Sequence, residues 1–177
     1  MNLDDNCGEF LSFRDLIECG ETFVSLQPHN TPEQIDTFLA LSSLAHEILD
    51  PVMKFYGKIQ ITYGFAGPQL TKNIKKNICP HLDQHSSHEL NKKGELICRR
   101  EGAAVDFSVP NASMSEVSKW IIKNCNFDRL YFYENFNPIH VSYAPHPKRS
   151  IVWMYSNASS GKRFPRNISE SNFLVSM

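Results

Sequence analysis

At 177 residues and 20.3 kDa the chain is the size of one domain, which excludes two independent enzyme modules. An apolar content of 41 %, with 21 % charged residues and a mean hydropathy of -0.35, excludes a disordered or fibrous chain, and no apolar run reaches the roughly 18 residues of a membrane span. The net charge of -1 conceals a division: residues 1 to 50 carry ten acids and one base, and residues 51 to 177 carry nine acids and seventeen bases.

The N-terminal segment MNLDDNCGEF has acids where a signal peptide has bases, so a cytoplasmic chain is expected. Five cysteines without a CxxC pair are expected as thiols. Residues 1 to 30 read as a lead-in of short pieces. Thr31, Pro32 and Glu33 then form a helix start, with a capping hydroxyl followed by proline at the first helical position. Ile35, Phe38, Leu39, Leu41, Ala45, Ile48 and Leu49 follow at close to helical spacing, and Asp50 and Pro51 are expected to end that helix.

Lys58 to Tyr63 alternates as a half-covered strand does, and Gly64, Gly67 and Pro68 turn the chain. Residues 69 to 77 suit a short basic helix. Residues 79 to 101 form a long polar loop rich in histidine, and loops of that length carry function or move. Gly102 to Val109 reads as a buried strand with one acid, Asp106. Ser113 to Cys125 is an amphipathic helix, and strands follow at 129–133, 139–143 and 151–155. The expected architecture is α+β, with helices packed on an antiparallel sheet in a single domain over residues 1–155. Residues 156–177, rich in Ser, Asn, Lys and Arg, are expected as a peripheral basic tail.

Gly102, Ala104 and Asp106 in GAAVDF, and His140 in IHVSY, give the succession a resemblance to the M15 zinc peptidases, the D-Ala-D-Ala carboxypeptidase and endolysin group that shares its fold with the Hedgehog domain. The resemblance covers about residues 32 to 143. That family carries S-G-Y-R after a first strand, then S-x-H-x-x-G-x-A-x-D, then E-x-x-H on a late strand. Its two histidines and Asp hold zinc, its Glu is general base, and its Arg steadies the developing oxyanion. Here Gly64 is kept, while Tyr63, Phe65 and Ala66 stand for the family's Ser, Tyr and Arg. Ile97 and Arg99 replace the Ser and first His of the middle motif, and Asn137 stands at the Glu. The resemblance implies an M15-like fold, with Asp106 and His140 as two zinc ligands.

A catalytic zinc needs three protein donors and one open position. Among His81, His85 and His88 of the polar loop, His85 is the choice for the third ligand. Arg99 has no lone pair to give a metal, so it either points away from the ion or orients an anionic substrate end. Arg100, Tyr63 and Asn137 are expected to contact substrate beside it, and Glu134, in the turn before the His140 strand, is the candidate general base. The expected activity is a metal-dependent hydrolase acting on an anionic, peptide-like substrate.

Three other readings stand beside it. Four of Cys79, His81, His85, His88 and Cys98 could hold a structural zinc. Asp106 and His140 could be a hydrogen-bonded core pair. The fold could also have left peptidase chemistry behind and bind a nucleotide or nucleic acid through Arg99, Arg100 and the basic later part.

Overall fold

A computed structural model describes residues 1–74, 79–156 and 163–176. The chain is α+β. Its sheet comprises β1 (Gln60–Tyr63), β2 (Ala103–Ser108), β3 (Arg129–Phe132), β4 (Ile139–Tyr143), β5 (Ser150–Ser156) and β6 (Arg163–Ile168), in the order β1-β2-β4-β3-β5-β6. Every neighbouring pair is antiparallel except β3 and β5, which run parallel, so the sheet is mixed rather than wholly antiparallel. The helices are α1 (Phe13–Ile17), α2 (Glu21–Leu26), α3 (Ile35–Leu44), α4 (Asp50–Tyr56), α5 (Pro68–Asn73), α6 (Met114–Asn124) and α7 (Glu170–Ser176).

Strand alternation divides the sheet into two faces. Val105, Phe107, Ile139, Val141, Leu130 and Phe132 lie in the buried core, where α3 packs on β2 and β4 and α6 packs on β3. The intervening positions put Asp106 opposite His140, and His140 opposite Tyr131, on the other face. The polar loop covers that face through a 3₁₀ turn at Gln84–Ser86, which packs against β2.

The long helix departs from its sequence signals at both ends. It starts at Ile35 rather than Thr31, because the buried carboxylate of Glu89 accepts from the backbone N–H of Glu33 and Gln34 and from the Thr37 hydroxyl. The start is thus satisfied by the polar loop and not by a local hydroxyl. Nor does it stop at Pro51: a π-helical turn, Ala45–Leu49, joins α3 directly to α4. Proline lacks an N–H and its ring collides with the carbonyl four residues back in a regular α-helix, and a wider turn ahead of it relieves that collision. By contrast α6 starts where expected, with a reciprocal Ser113–Glu116 capping box.

The chain beyond 156, expected as a peripheral tail, instead completes the fold over its described residues. Strand β6 pairs along β5, and α7 inserts Phe173, fully buried, edge-on against Phe132 with ring centroids 5.4 Å apart. Arg149 holds α7 to α6: its guanidinium donates to the Glu170 carboxylate at 2.7 Å and to the carbonyls of Cys125 and Ile122.

Candidate metal centre

Strands β2 and β4 supply two members of the site in register, Asp106 and His140, and the 3₁₀ turn supplies the third, His85. Asp83 caps that turn by accepting from the His85 backbone N–H at 3.1 Å, and the His85 carbonyl accepts from Ala66 N–H at 2.9 Å. Ser87 Oγ donates to the Gly102 carbonyl and Gln84 Nε2 to the Glu101 carbonyl, which fixes the turn beside the start of β2. Gly102 is required there: its φ of +93° suits glycine, and a Cβ would overlap the Tyr143 carbonyl oxygen. Gly64 is required for a different reason, since a Cβ on it would overlap the Leu16 carbonyl oxygen.

The three donor atoms form a small triangle. His85 Nε2 lies 3.2 Å from Asp106 Oδ1 and 3.2 Å from His140 Nδ1, and His140 Nδ1 lies 2.9 Å from Asp106 Oδ1. Among the described residues this is the one group of three or more His, Cys, Asp or Glu side chains close enough to hold a metal ion. The His85 ring is also wedged between Tyr63, 4.1 Å away by centroid, and His140, 5.0 Å away.

Gly64 decides the tautomer of His85. Its carbonyl lies 2.7 Å from Nδ1 and can only accept, so Nδ1 carries the hydrogen. In a neutral ring Nε2 is then a bare lone pair, facing a carboxylate oxygen at 3.2 Å. Two acceptors at that distance need a hydrogen or a cation against them: a proton on Nε2, the Nδ1–H of His140, which is within reach of both, or a metal ion. Burial alone would depress the His85 pKa, but the charges of Asp83 and Asp106, with the bonds from Nε2 and Nδ1, hold it up at about 9. Burial would likewise raise Asp106, and the histidines outweigh it, keeping its carboxyl well below the usual range.

The donor set fits a metal ion. Two imidazoles and a carboxylate form a common catalytic zinc set, and donor separations of 2.9–3.2 Å lie close to the roughly 3.3 Å between ligands bonded at about 2.0 Å in a tetrahedron. A backbone carbonyl on the remote nitrogen of a ligating histidine is the usual support for such a ring. The side chains of His85, His140 and Asp106 are 3 %, 12 % and 27 % exposed, so the group is closed behind His85 and open to solvent beside Asp106.

The other expected residues are dispersed or turned to different uses. Tyr63 belongs to the centre through its ring contact with His85. Arg99 is exposed, and its backbone N–H is held by the His81 carbonyl. Arg100 donates from Nη1 to the Leu82 carbonyl at 2.8 Å, which ties the loop to itself. Glu134 is exposed at a positive φ of 100°, and Asn137 closes the same turn by donating from Nδ2 to the Tyr133 carbonyl. Neither bonds to the three donors. The five-residue structural zinc set is not assembled: His85 belongs to the triangle, His88 Nε2 accepts from Gly102 N–H, and the Cys98 thiol accepts from Arg100 N–H.

Asp83 is the residue sequence reasoning missed. Its Oδ1 stands 3.9 Å from His85 Nε2, and the one signal available was its place two residues before His85 in the chain. Burial and the charges of Asp83 and Asp106 push the Tyr63 phenol well above its ordinary pKa, so it stays protonated. The sequence matches no protein-family model, and neither the curated proteins nor the solved structures compared with it include a match.

Proposed function

We propose that the protein is a metal-dependent hydrolase of M15 peptidase-like descent, with His85, Asp106 and His140 holding zinc and an anionic, peptide-like compound as substrate. The observation that carries this reading is the placement of His85 Nε2, aimed by the Gly64 carbonyl at a carboxylate oxygen and a second imidazole nitrogen. Zinc in such a set lowers the pKa of a coordinated water toward neutrality and polarises a carbonyl.

The chain's own residues do the rest. The Gly64 carbonyl orients His85, the backbone register of β2 and β4 holds Asp106 against His140, and the opening beside Asp106 admits substrate. For proton transfer, Asp83 Oδ1 at 3.9 Å from His85 Nε2 is better sited than Glu134, whose side chain is exposed in its turn. Arg99, exposed and without an ion-pair partner among the described residues, keeps the role of drawing in an anionic substrate end. The nucleotide or nucleic-acid reading has less support, because the Arg100 guanidinium it needs is bonded to the Leu82 carbonyl.

Metal analysis of the purified protein is the test. About one zinc per chain, lost in Asp106→Ala and His140→Ala with circular dichroism unchanged, is the expected result. A protein that takes up no divalent metal when zinc is supplied would end the hydrolase reading.

A further inference from the structure

Strand β1 meets β2 in regular register at Gln60↔Ser108 and Ile61↔Phe107, and then slips so that Tyr63, not Thr62, lies opposite Asp106. Thr62 is the surplus residue of this bulge, and its hydroxyl donates to the Asp106 carbonyl at 3.2 Å. A bulge of this kind re-aims the side chain that follows it. In unbroken register Tyr63 would oppose Val105 and turn toward the helix-covered core. The slip gives it instead to the face that holds Asp106 and His140, with its ring against His85.

Having been brought there, the Tyr63 hydroxyl is left without a partner. Its oxygen is fully buried and makes no hydrogen bond among the described residues. Buried phenols ordinarily find an acceptor, because an unpaired hydroxyl away from water is unfavourable. The charges of both Asp83 and Asp106 act on this hydroxyl, yet neither carboxylate takes its hydrogen. One donor thus remains unspent on a side chain whose ring packs against a member of the three-donor set.

We propose that Tyr63 Oη–H is the hydrogen-bond donor for an oxygen atom of the ligand bound at the His85–Asp106–His140 centre, and that the ligand is an acyl compound presenting a carbonyl or carboxylate oxygen. This rests on the metal-centre reading above. It adds a specificity: a ligand that brings an acceptor oxygen gains the phenol's bond, whereas one without it leaves the hydroxyl unpaired as before.

Tyr63→Phe removes the hydroxyl and keeps the ring on His85. The measurement is the visible spectrum of the cobalt-loaded protein, titrated with acetohydroxamate as an acyl-oxygen probe, together with melting in the presence of chelator. The expected results are unchanged cobalt affinity, hydroxamate binding weakened by about tenfold, and a melting temperature equal to or above that of the unsubstituted chain, since an unpaired buried hydroxyl has been removed. Equal hydroxamate affinity in the two proteins, no hydroxamate binding by the cobalt-loaded unsubstituted chain, or a lowered melting temperature would each overturn the assignment while leaving the metal centre intact. Failure of the unsubstituted protein to bind cobalt would instead remove the metal centre, and this assignment with it.

Discussion

In the metal-free protein His85 is held as an imidazolium between Asp83 and Asp106, with a pKa of about 9 against 6.5 in the unfolded chain. A group whose folded pKa is raised contributes stability fully below its unfolded value and loses it as pH climbs through the folded one. The gap between the two values corresponds to about 3 kcal/mol at pH 6 and below, of which about 2 kcal/mol is gone by pH 8. Urea unfolding in chelator at pH 6, 7 and 8 reads this directly. The control is His85→Gln, which removes the titrating ring and should flatten the difference between pH 6 and 8. Saturating zinc should reverse the sign, because the metal displaces the same proton and binds more tightly as pH rises. A pH slope in chelator that is the same in His85→Gln as in the unsubstituted protein would refute the assignment of the buried proton to His85.

Two substitutions test how the site is held. Gly102→Ala forces a side chain onto the Tyr143 carbonyl at a φ of +93°, and should cost about 3 kcal/mol or more in urea unfolding or leave the protein insoluble; a loss under about 1 kcal/mol would mean that β2 enters the sheet differently. Glu89→Gln weakens the charged acceptor on the start of α3 and should cost about 2 kcal/mol, with hydrogen exchange speeding at Glu33 and Gln34 as the local readout.

Asp106 and His140 were brought together by the motif resemblance, and the strands set them opposite each other because each polar residue sits between apolar neighbours, Val105 and Phe107 in one strand and Ile139 and Val141 in the other. Period-two alternation then puts both on the face away from the core. His85 was legible only as a chemical requirement for a third donor in the polar loop. What fixes it there is tertiary as well as local: the Asp83 cap is two residues away, but the Gly64 carbonyl is 21 residues away in the chain, and the bulge that delivers Tyr63 depends on β1 pairing with β2. Local signals misled where a distant group replaced the local one. Thr31 looked like a cap, and Glu89 does that work from across the fold. Pro51 looked like a stop, and a π turn absorbs it. Strand β6 escaped detection because its five residues Arg163 to Asn167 are all exposed and include Pro165, a pattern that reads as loop until β5 is there to pair with it.

Either a proton on His85 or a metal ion can settle the contacts among the three donors, so the fold should not depend on the metal. The polar loop is anchored by bonds that need no ion: Ser87 to Gly102, Gln84 to Glu101, Arg100 to Leu82 and Glu89 to the start of α3. At pH 6.5, where the His85 proton is firmly held, chelation should therefore leave far-ultraviolet circular dichroism and the amide protection of residues 84–89 unchanged. A structural zinc behaves oppositely, since its removal unfolds the segment that it organises. Loss of protection across that loop on chelation would make the ion a staple of the fold rather than a visitor to an already formed site. Retention of protection in chelator, with the metal returning as pH is raised, is what a preformed centre built on Asp106 and His140 requires.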